Sequence, residues 1–311
     1  MSSSGKDDFD VIKIFPDDKI NPMFYAFKIG TWENDDGDRD HFPNRKYTSC
    51  GKPGEPCEGE QGSPECSVLS TEWEKEGIEF VDQEVTAYFF LPEIESNDDK
   101  KQCYKYSRGG KGSGIAIKLR GSRHDDDDNS ARTYIFDFQY EGDDVDANNE
   151  SNNFKSNNFQ KEFPHPEYYK MTVPTNFKLK QTIGKWVGYK VVTVNQDNGV
   201  RCVAFVDYGS YDRSKEEGPD LDAQDWVIYY DIFDDGKLDE RNDIIMNEND
   251  RDKYKHKQKV RKAWREHNGH QVTQFRMDRI VKPEAKFLSA RRISGESVED
   301  ILEHHLPHPN E

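Results

Sequence analysis

The 311 residues carry 61 Asp and Glu against 44 Lys and Arg, a net charge of −17, with 34% charged and 33% hydrophobic residues. No stretch approaches the ~20 apolar residues that a membrane-spanning helix needs, and the opening "MSSSGKDDFD" has neither the basic start nor the apolar centre of a signal peptide. A soluble protein is expected, long enough to bury a sizeable core as one large domain over residues 1–311.

Evenly mixed, this composition would leave the chain disordered, but the apolar residues are gathered into short alternating runs. In chain order these are "DVIKIF" (10–15), "EVTAYFFL" (84–91), "GIAIKLR" (114–120), "RTYIFDFQY" (132–140), "KWVGYKVVTVN" (185–195), "VRCVAFVDY" (200–208), "DWVIYYDIF" (225–233), "QVTQFRMDRI" (271–280) and "KFLSARRI" (286–293). Each is rich in β-branched and aromatic residues and bounded by turn-forming ones, so each is expected to be a strand. The intervening "NQDNG" predicts a hairpin turn at its Asn-Gly. Nine strands with few helices predict an all-β antiparallel sandwich of the jelly-roll type. The period-two placement points Ile115, Ile117, Leu119, Phe136, Phe138, Val187, Val191 and Phe205 into its core.

Long polar stretches at 34–70, 92–113 and 141–162 separate the strands and are expected to form irregular loops, with 50–66 and 141–162 poorly packed. The first holds Cys50, Cys57 and Cys66 in a spacing that is no zinc pattern and leaves both a disulfide and free thiols open. Cys202, within an apolar strand, is expected to be a buried inert thiol. One surface helix is expected near 247–268, where acids come early, bases late and Gly269 follows.

Several of these segments, "FDVIKIFPD", "QEVTAYFFL", "GIAIKLRGSRHDDD", "GKWVGYKVVTVN", "VRCVAFVDY", "DWVIYYDIFDDG", "VTQFRMDRI" and "KFLSARRI", span nearly the whole chain. In them the chain resembles environmental, largely archaeal β-jelly-roll proteins, related to polysaccharide lyases of the alginate-lyase type and to concanavalin-A-like lectins and glucanases. The resemblance implies a concanavalin-A-like sandwich whose concave sheet takes a polysaccharide. Alginate-lyase-like enzymes carry an Arg-x-Glu-x-Arg strand, a Gln-x-His strand and a Tyr-rich strand; here "KLRGSRH", "DFQYE" and "QFRMDR" stand in their place.

The residues themselves offer a cationic cluster. From Lys101 to Arg123 there are seven Lys or Arg and no acid, and alternation puts Lys118 and Arg120 on one strand face. Arg120 and Arg123 could hold a sugar carboxylate by bidentate hydrogen bonds, or could pair with the "DDDD" that follows at 125–128. A lyase acting on a uronate needs a cation or amide on the carboxylate, a base for the C5 proton and an acid for the leaving oxygen. Arg120 or Arg276 with Gln139, then His124, then a tyrosine such as Tyr189 or Tyr230 are the types required. Lys118, Arg123, Lys190 and Arg276 would bind the substrate, provided that their strands share one sheet.

On "YIFDFQYEG" the residues Asp137, Gln139 and Glu141 share a face, but Gln139 stands where a glycosidase would place its central acid, which disfavours hydrolysis. The aspartate runs at 125–128, 143–146 and 234–240 offer oxygen ligands for calcium, although Asp144-x-Asp146-x-Asn148 lacks the glycine and closing glutamate of an EF-hand loop. Residues 251–292 hold fourteen bases against four acids, yet without an aromatic RNA-recognition motif and in an acidic chain nucleic acid is not the expected partner. The expected function is therefore binding of a polysaccharide, anionic if the basic cluster faces it, with β-elimination on a uronate polymer as its catalytic form and a non-catalytic carbohydrate-binding or surface structural protein as the alternative.

Overall fold

The computed structural model describes residues 5–27, 46–49, 66–72, 81–90, 114–121, 133–139, 158–162, 168–172, 184–207, 209, 213–236, 238, 245–246, 272–278, 284–296 and 298–305. The strands among them are β1 (Phe24–Ala26), β2 (Lys46–Ser49), β3 (Cys66–Glu72), β4 (Gln83–Phe90), β5 (Gly114–Gly121), β6 (Thr133–Gln139), β7 (Asn158–Glu162), β8 (Tyr168–Thr172), β9 (Trp186–Gln196), β10 (Gly199–Asp207), β11 (Trp226–Asp234), β12 (Ile245–Met246), β13 (Val272–Asp278) and β14 (Glu284–Arg292), followed by the helix α1 (Val298–Glu303). They form a six-stranded sheet, β1-β14-β4-β9-β10-β11, and an eight-stranded sheet, β12-β8-β7-β6-β5-β13-β3-β2. Every pairing is antiparallel, so the protein is an all-β sandwich. Among the described residues no helix is long and apolar enough to cross a membrane.

The core between the sheets follows from alternation. Ile115, Ile117, Leu119, Phe136, Phe138 and Phe275 from the eight-stranded sheet meet Val85, Ala87, Phe89, Val187, Val191 and Ile232 from the six-stranded one. Each of these residues except Ala87 contributes about 1.5–3 kcal/mol by leaving water. Phe205 is a correction: it is buried, but on the opposite face of the six-stranded sheet, in a second core with Trp186, Val203, Trp226 and Ile228.

That second core is closed by segments that are not strands. Val11, Ile14 and Phe15 cover it, together with Val298 and Leu302 of α1. "DVIKIF" is thus not the strand that its alternation predicts; only isolated bridges, Lys6 to Ile12 and Asp17 to Ile293, flank it. Its polar backbone is satisfied by side chains instead. The Glu84 carboxylate accepts from the amides of Ile14 and Phe15 at 3.2 and 3.0 Å, and Lys190 Nζ donates to Ile12 O at 2.5 Å. Lys190 also meets Glu84 at 2.7 Å and lies 4.5 Å from the Trp226 ring centroid, while Arg291 Nη2 reaches Glu84 at 2.5 Å. Burial would raise the Glu84 carboxyl, but the Arg291 and Lys190 charges outweigh it and hold it down to about 2.

Three further departures have local causes. The β9–β10 turn is Asp197-Asn198, with Asp197 at φ +45° and Gly199 already paired with Gln196, so the positive φ falls two residues before the expected glycine. The stretch 141–162 is not wholly irregular: its last residues form β7, where Phe159 enters the core. In β11 the register shifts opposite Ala204 and Phe205, which turns both Tyr229 and Tyr230 inward. Among the described residues the Tyr230 hydroxyl there has no hydrogen-bond partner. The helical stretch at 247–268, residues 51–65 of the cysteine loop and 92–113 lie outside the described residues; Cys202 is buried and free, and burial pushes its thiol up.

Two predictions follow from these buried groups. Because the Glu84 pKa is depressed from 4.5 to about 2, its contribution is complete above pH 4.5 and is lost as pH falls towards 2. Urea unfolding followed from pH 7 to 2 should show a loss in the native protein, on the order of 3 kcal/mol in this window, that Glu84→Gln does not share. That variant should also start about 3–5 kcal/mol less stable, since two cations lose their carboxylate; parallel pH curves would refute the assignment. Tyr230→Phe removes a buried hydroxyl that has no partner among the described residues and should leave stability unchanged or raise it by about 1 kcal/mol in the same assay.

Candidate functional site

The outer face of the eight-stranded sheet collects the polar side chains that alternation excludes from the core. Register runs one row across seven strands: Lys46 opposite Ser70, Ser70 opposite Gln274, Gln274 opposite Lys118, Lys118 opposite Ile135, Ile135 opposite Gln160, and Gln160 opposite Lys170. The next outward row holds Val68, Arg276, Ala116 and Asp137 in order, and the one after it Asp278, Gly114 and Gln139. The positions of Lys118, Arg276 and Gln139 therefore fall in three neighbouring rows of adjacent strands.

The described side chains of this face hold hydrogen-bonding groups around a region of low bulk. Gln274, Asp137 and Gln160 are half-buried, and Gln160 Nε2 donates to Asp137 Oδ2. Lys118 is only 4% exposed, and Ala116 and Ile135 beside it are buried. Ala116 and Gly114 sit between the β13 positions of Arg276 and Asp278 and the β6 positions of Asp137 and Gln139, so the centre carries little side-chain volume. Two amides and a carboxylate around such a centre can donate to and accept from several hydroxyls at once.

The other expected residues do not join them. Arg120 is the chief correction. A β-bulge leaves Leu119 and Arg120 opposite Thr273, and Arg120 takes φ +52°, a left-handed conformation that reverses its side-chain parity. Its guanidinium therefore points away from Lys118 and ties the eight-stranded sheet to the six-stranded one, donating to Asp82 Oδ1 at 2.8 Å and Asn195 Oδ1 at 2.7 Å. Burial lowers its pKa and the Asp82 charge opposes this. Among the described residues its acidic partner is Asp82; the 125–128 run lies outside them.

Tyr189 and Lys190 belong to β9, in the other sheet, so the single groove expected for Lys190, Arg120 and Gln139 does not form. Tyr189 packs between the sheets with its ring 4.4 Å from that of Phe138, and Lys190 faces the second core on Glu84. Tyr230 is likewise buried between the sheets. Arg123, His124, Glu141 and the acidic runs at 125–128 and 143–146 lie outside the described residues. Of the third acidic run, Asp234 is bound to Lys161 and Tyr134. Among the described residues no group of three or more His, Cys, Asp or Glu is placed to hold a metal ion.

Sequence reasoning missed Gln160, which lies in a stretch read as loop; the signal was the alternation of Phe159 and Lys161 with it. It also missed the pairing of Asp137 with that amide, because β7 was not foreseen.

No protein-family model and no curated protein matches the chain. Among solved structures it is similar to the basic winged bean lectin with Tn-antigen (TM-score 0.38, 5% identity, 87% of this chain and 98% of that one) and to the Lotus tetragonolobus seed lectin (TM-score 0.38, 7% identity, 88% and 98%). It is also similar to lectin I from Ulex europaeus in complex with the methyl glycoside of α-L-fucose (TM-score 0.40, 8% identity, 87% and 96%).

Proposed function

We propose that the protein binds a saccharide across the outer face of β13, β5, β6 and β7, and that it does so without cleaving it. The observation that carries this reading is the half-buried set Gln274, Asp137 and Gln160 around the low-bulk positions Ala116 and Gly114. Sugar hydroxyls both donate and accept; a carboxylate held by an amide accepts from two neighbouring hydroxyls, while the amides donate in return. Arg276, at the adjoining position on β13, favours a sugar that carries a carboxylate or another anion. Binding without elimination fits the division of the expected lyase groups: Arg120 is committed to Asp82, and Tyr189 is packed between the sheets.

Calorimetric titration with polyuronate and neutral glucan oligosaccharides tests this reading. Binding of the uronates should exceed that of the glucans and fall as salt screens the cation. Asp137→Ala should weaken it about ten- to a hundredfold, the worth of a charge-assisted hydrogen bond of about 1.5–3 kcal/mol, whereas Lys19→Ala at a remote exposed ion pair should not. Absence of binding to either class, or affinity indifferent to Asp137→Ala, would refute the site; unsaturated sugar ends in the product would refute binding alone.

A further inference from the structure

Lys161 and Asp234 form an ion pair that the saccharide site does not use and that water does not reach. Both side chains are 0% exposed, and Nζ lies 2.6 Å from Oδ2. Lys161 stands on β7 of the eight-stranded sheet and Asp234 ends β11 of the six-stranded one, so the pair crosses the sandwich between residues 73 apart in sequence. The carboxylate has two further donors. The Tyr134 hydroxyl donates to Oδ2 at 2.5 Å, and the Gly236 amide donates to Oδ1 at 3.0 Å. Aromatic surface surrounds the group: Lys161 Nζ is 5.9 Å from the Tyr134 ring centroid, and that ring stacks on Phe159 at 5.6 Å.

We propose that Lys161 and Asp234 become joined by an isopeptide bond, formed by the folded chain on itself. A proton passes from Nζ to the carboxylate, giving a neutral amine and a carboxylic acid and cancelling two buried charges. The nitrogen lone pair then attacks Cγ, and the Gly236 amide stabilises the negative charge that develops on Oδ1. Tyr134 relays a proton from the nitrogen to Oδ2, the Cγ–Oδ2 bond breaks, and one water leaves. One C–N bond forms, one C–O bond is lost, and no oxidant or cofactor takes part. The fold supplies the proximity, for which effective concentrations of about 10⁵ M and above are attainable, and the dry surroundings oppose the reverse hydrolysis.

The mass of the denatured full-length protein decides the matter. It should fall short of the sequence mass by one water, and a protease digest should contain a branched peptide joining the segments around 161 and 234. Lys161→Arg keeps the charge but has no nucleophilic amine, so it should recover the full mass; Tyr134→Phe should slow or prevent the loss. Asp235-Gly236 could lose water by closing to a succinimide, a deficit that hydroxylamine cleaves and that Lys161→Arg would retain. A native protein of full sequence mass, or a water loss without the branched peptide, overturns the proposal whether or not the variants fold.

Discussion

The buried carboxylate of Glu84 is the constraint on which the six-stranded side of the molecule depends. One acid lies under two cations, Lys190 and Arg291, and all three side chains are at most 4% exposed. Removing three charges from water costs more than a single ion pair returns, so the arrangement depends on further hydrogen bonds to most of its polar atoms, Arg291 Nε alone of the three side chains being left without a partner among the described residues. The amides of Ile14 and Phe15 and the carbonyls of Ile12 and Phe15 supply them. Sheet and N-terminal segment are therefore mutually required: without the segment the cluster is under-bonded, and without the cluster the segment has buried backbone groups and no strand to pair with.

This has a consequence for where a ligand can go. A sandwich sheet ordinarily turns one face to solvent, but here the outer face of the six-stranded sheet is a second core, closed by residues 11–15 and by α1. His305 completes the cover, with its carbonyl accepting from the Ile228 amide and its ring Nδ1 bonded to Trp226 O at 2.8 Å. Backbone that would otherwise present an open edge at β11 is thereby occupied there. The half-buried polar positions Gln274, Asp137 and Gln160 belong to the eight-stranded sheet, and the proposed saccharide site is placed on them.

Strand existence was legible in the sequence because apolar alternation reports a half-buried sheet, and Ile115, Ile117 and Leu119 or Phe136 and Phe138 fall where that rule puts them. The same rule misread "DVIKIF", since Val11 and Ile14 bury their side chains without pairing their backbone in a sheet. It also failed at Arg120 and Phe287, at φ +52° and +54°, where bulges break the parity. Neither is glycine or asparagine, so nothing in the local sequence marks a left-handed residue. For the site, the register places Lys118, Arg276 and Gln139 in neighbouring rows of adjacent strands, and that register is itself a long-range pairing the sequence does not state. Sheet membership was not legible: whether β9 lies beside β5 or across the core from it is a matter of long-range pairing, and this separated Lys190 and Tyr189 from the rest.

Arg120, expected at the ligand, shares a different task with other buried polar residues. Hydrophobic contact between two sheets is non-directional and would tolerate several alignments of one over the other. Polar links between the sheets do not. Arg120 reaches Asp82 and Asn195, Tyr134 and Lys161 reach Asp234, and Thr273 donates to Gln83 at 2.8 Å; each joins a strand of the eight-stranded sheet to a residue of the six-stranded side or of the residue preceding it. A slide of one sheet by a single residue would leave these groups buried and unpaired, at about 1–3 kcal/mol for each neutral group and more for each charge. The links thus select one alignment among those that the aliphatic core would accept, and they do so from one row, at the Arg120 end of β5 and the Tyr134 end of β6. The outer face of the same strands, where Asp137, Gln160 and Gln274 are held, inherits its geometry from that selection. An acidic chain with cations spent inside its sandwich is in this sense building the platform for its site rather than the site.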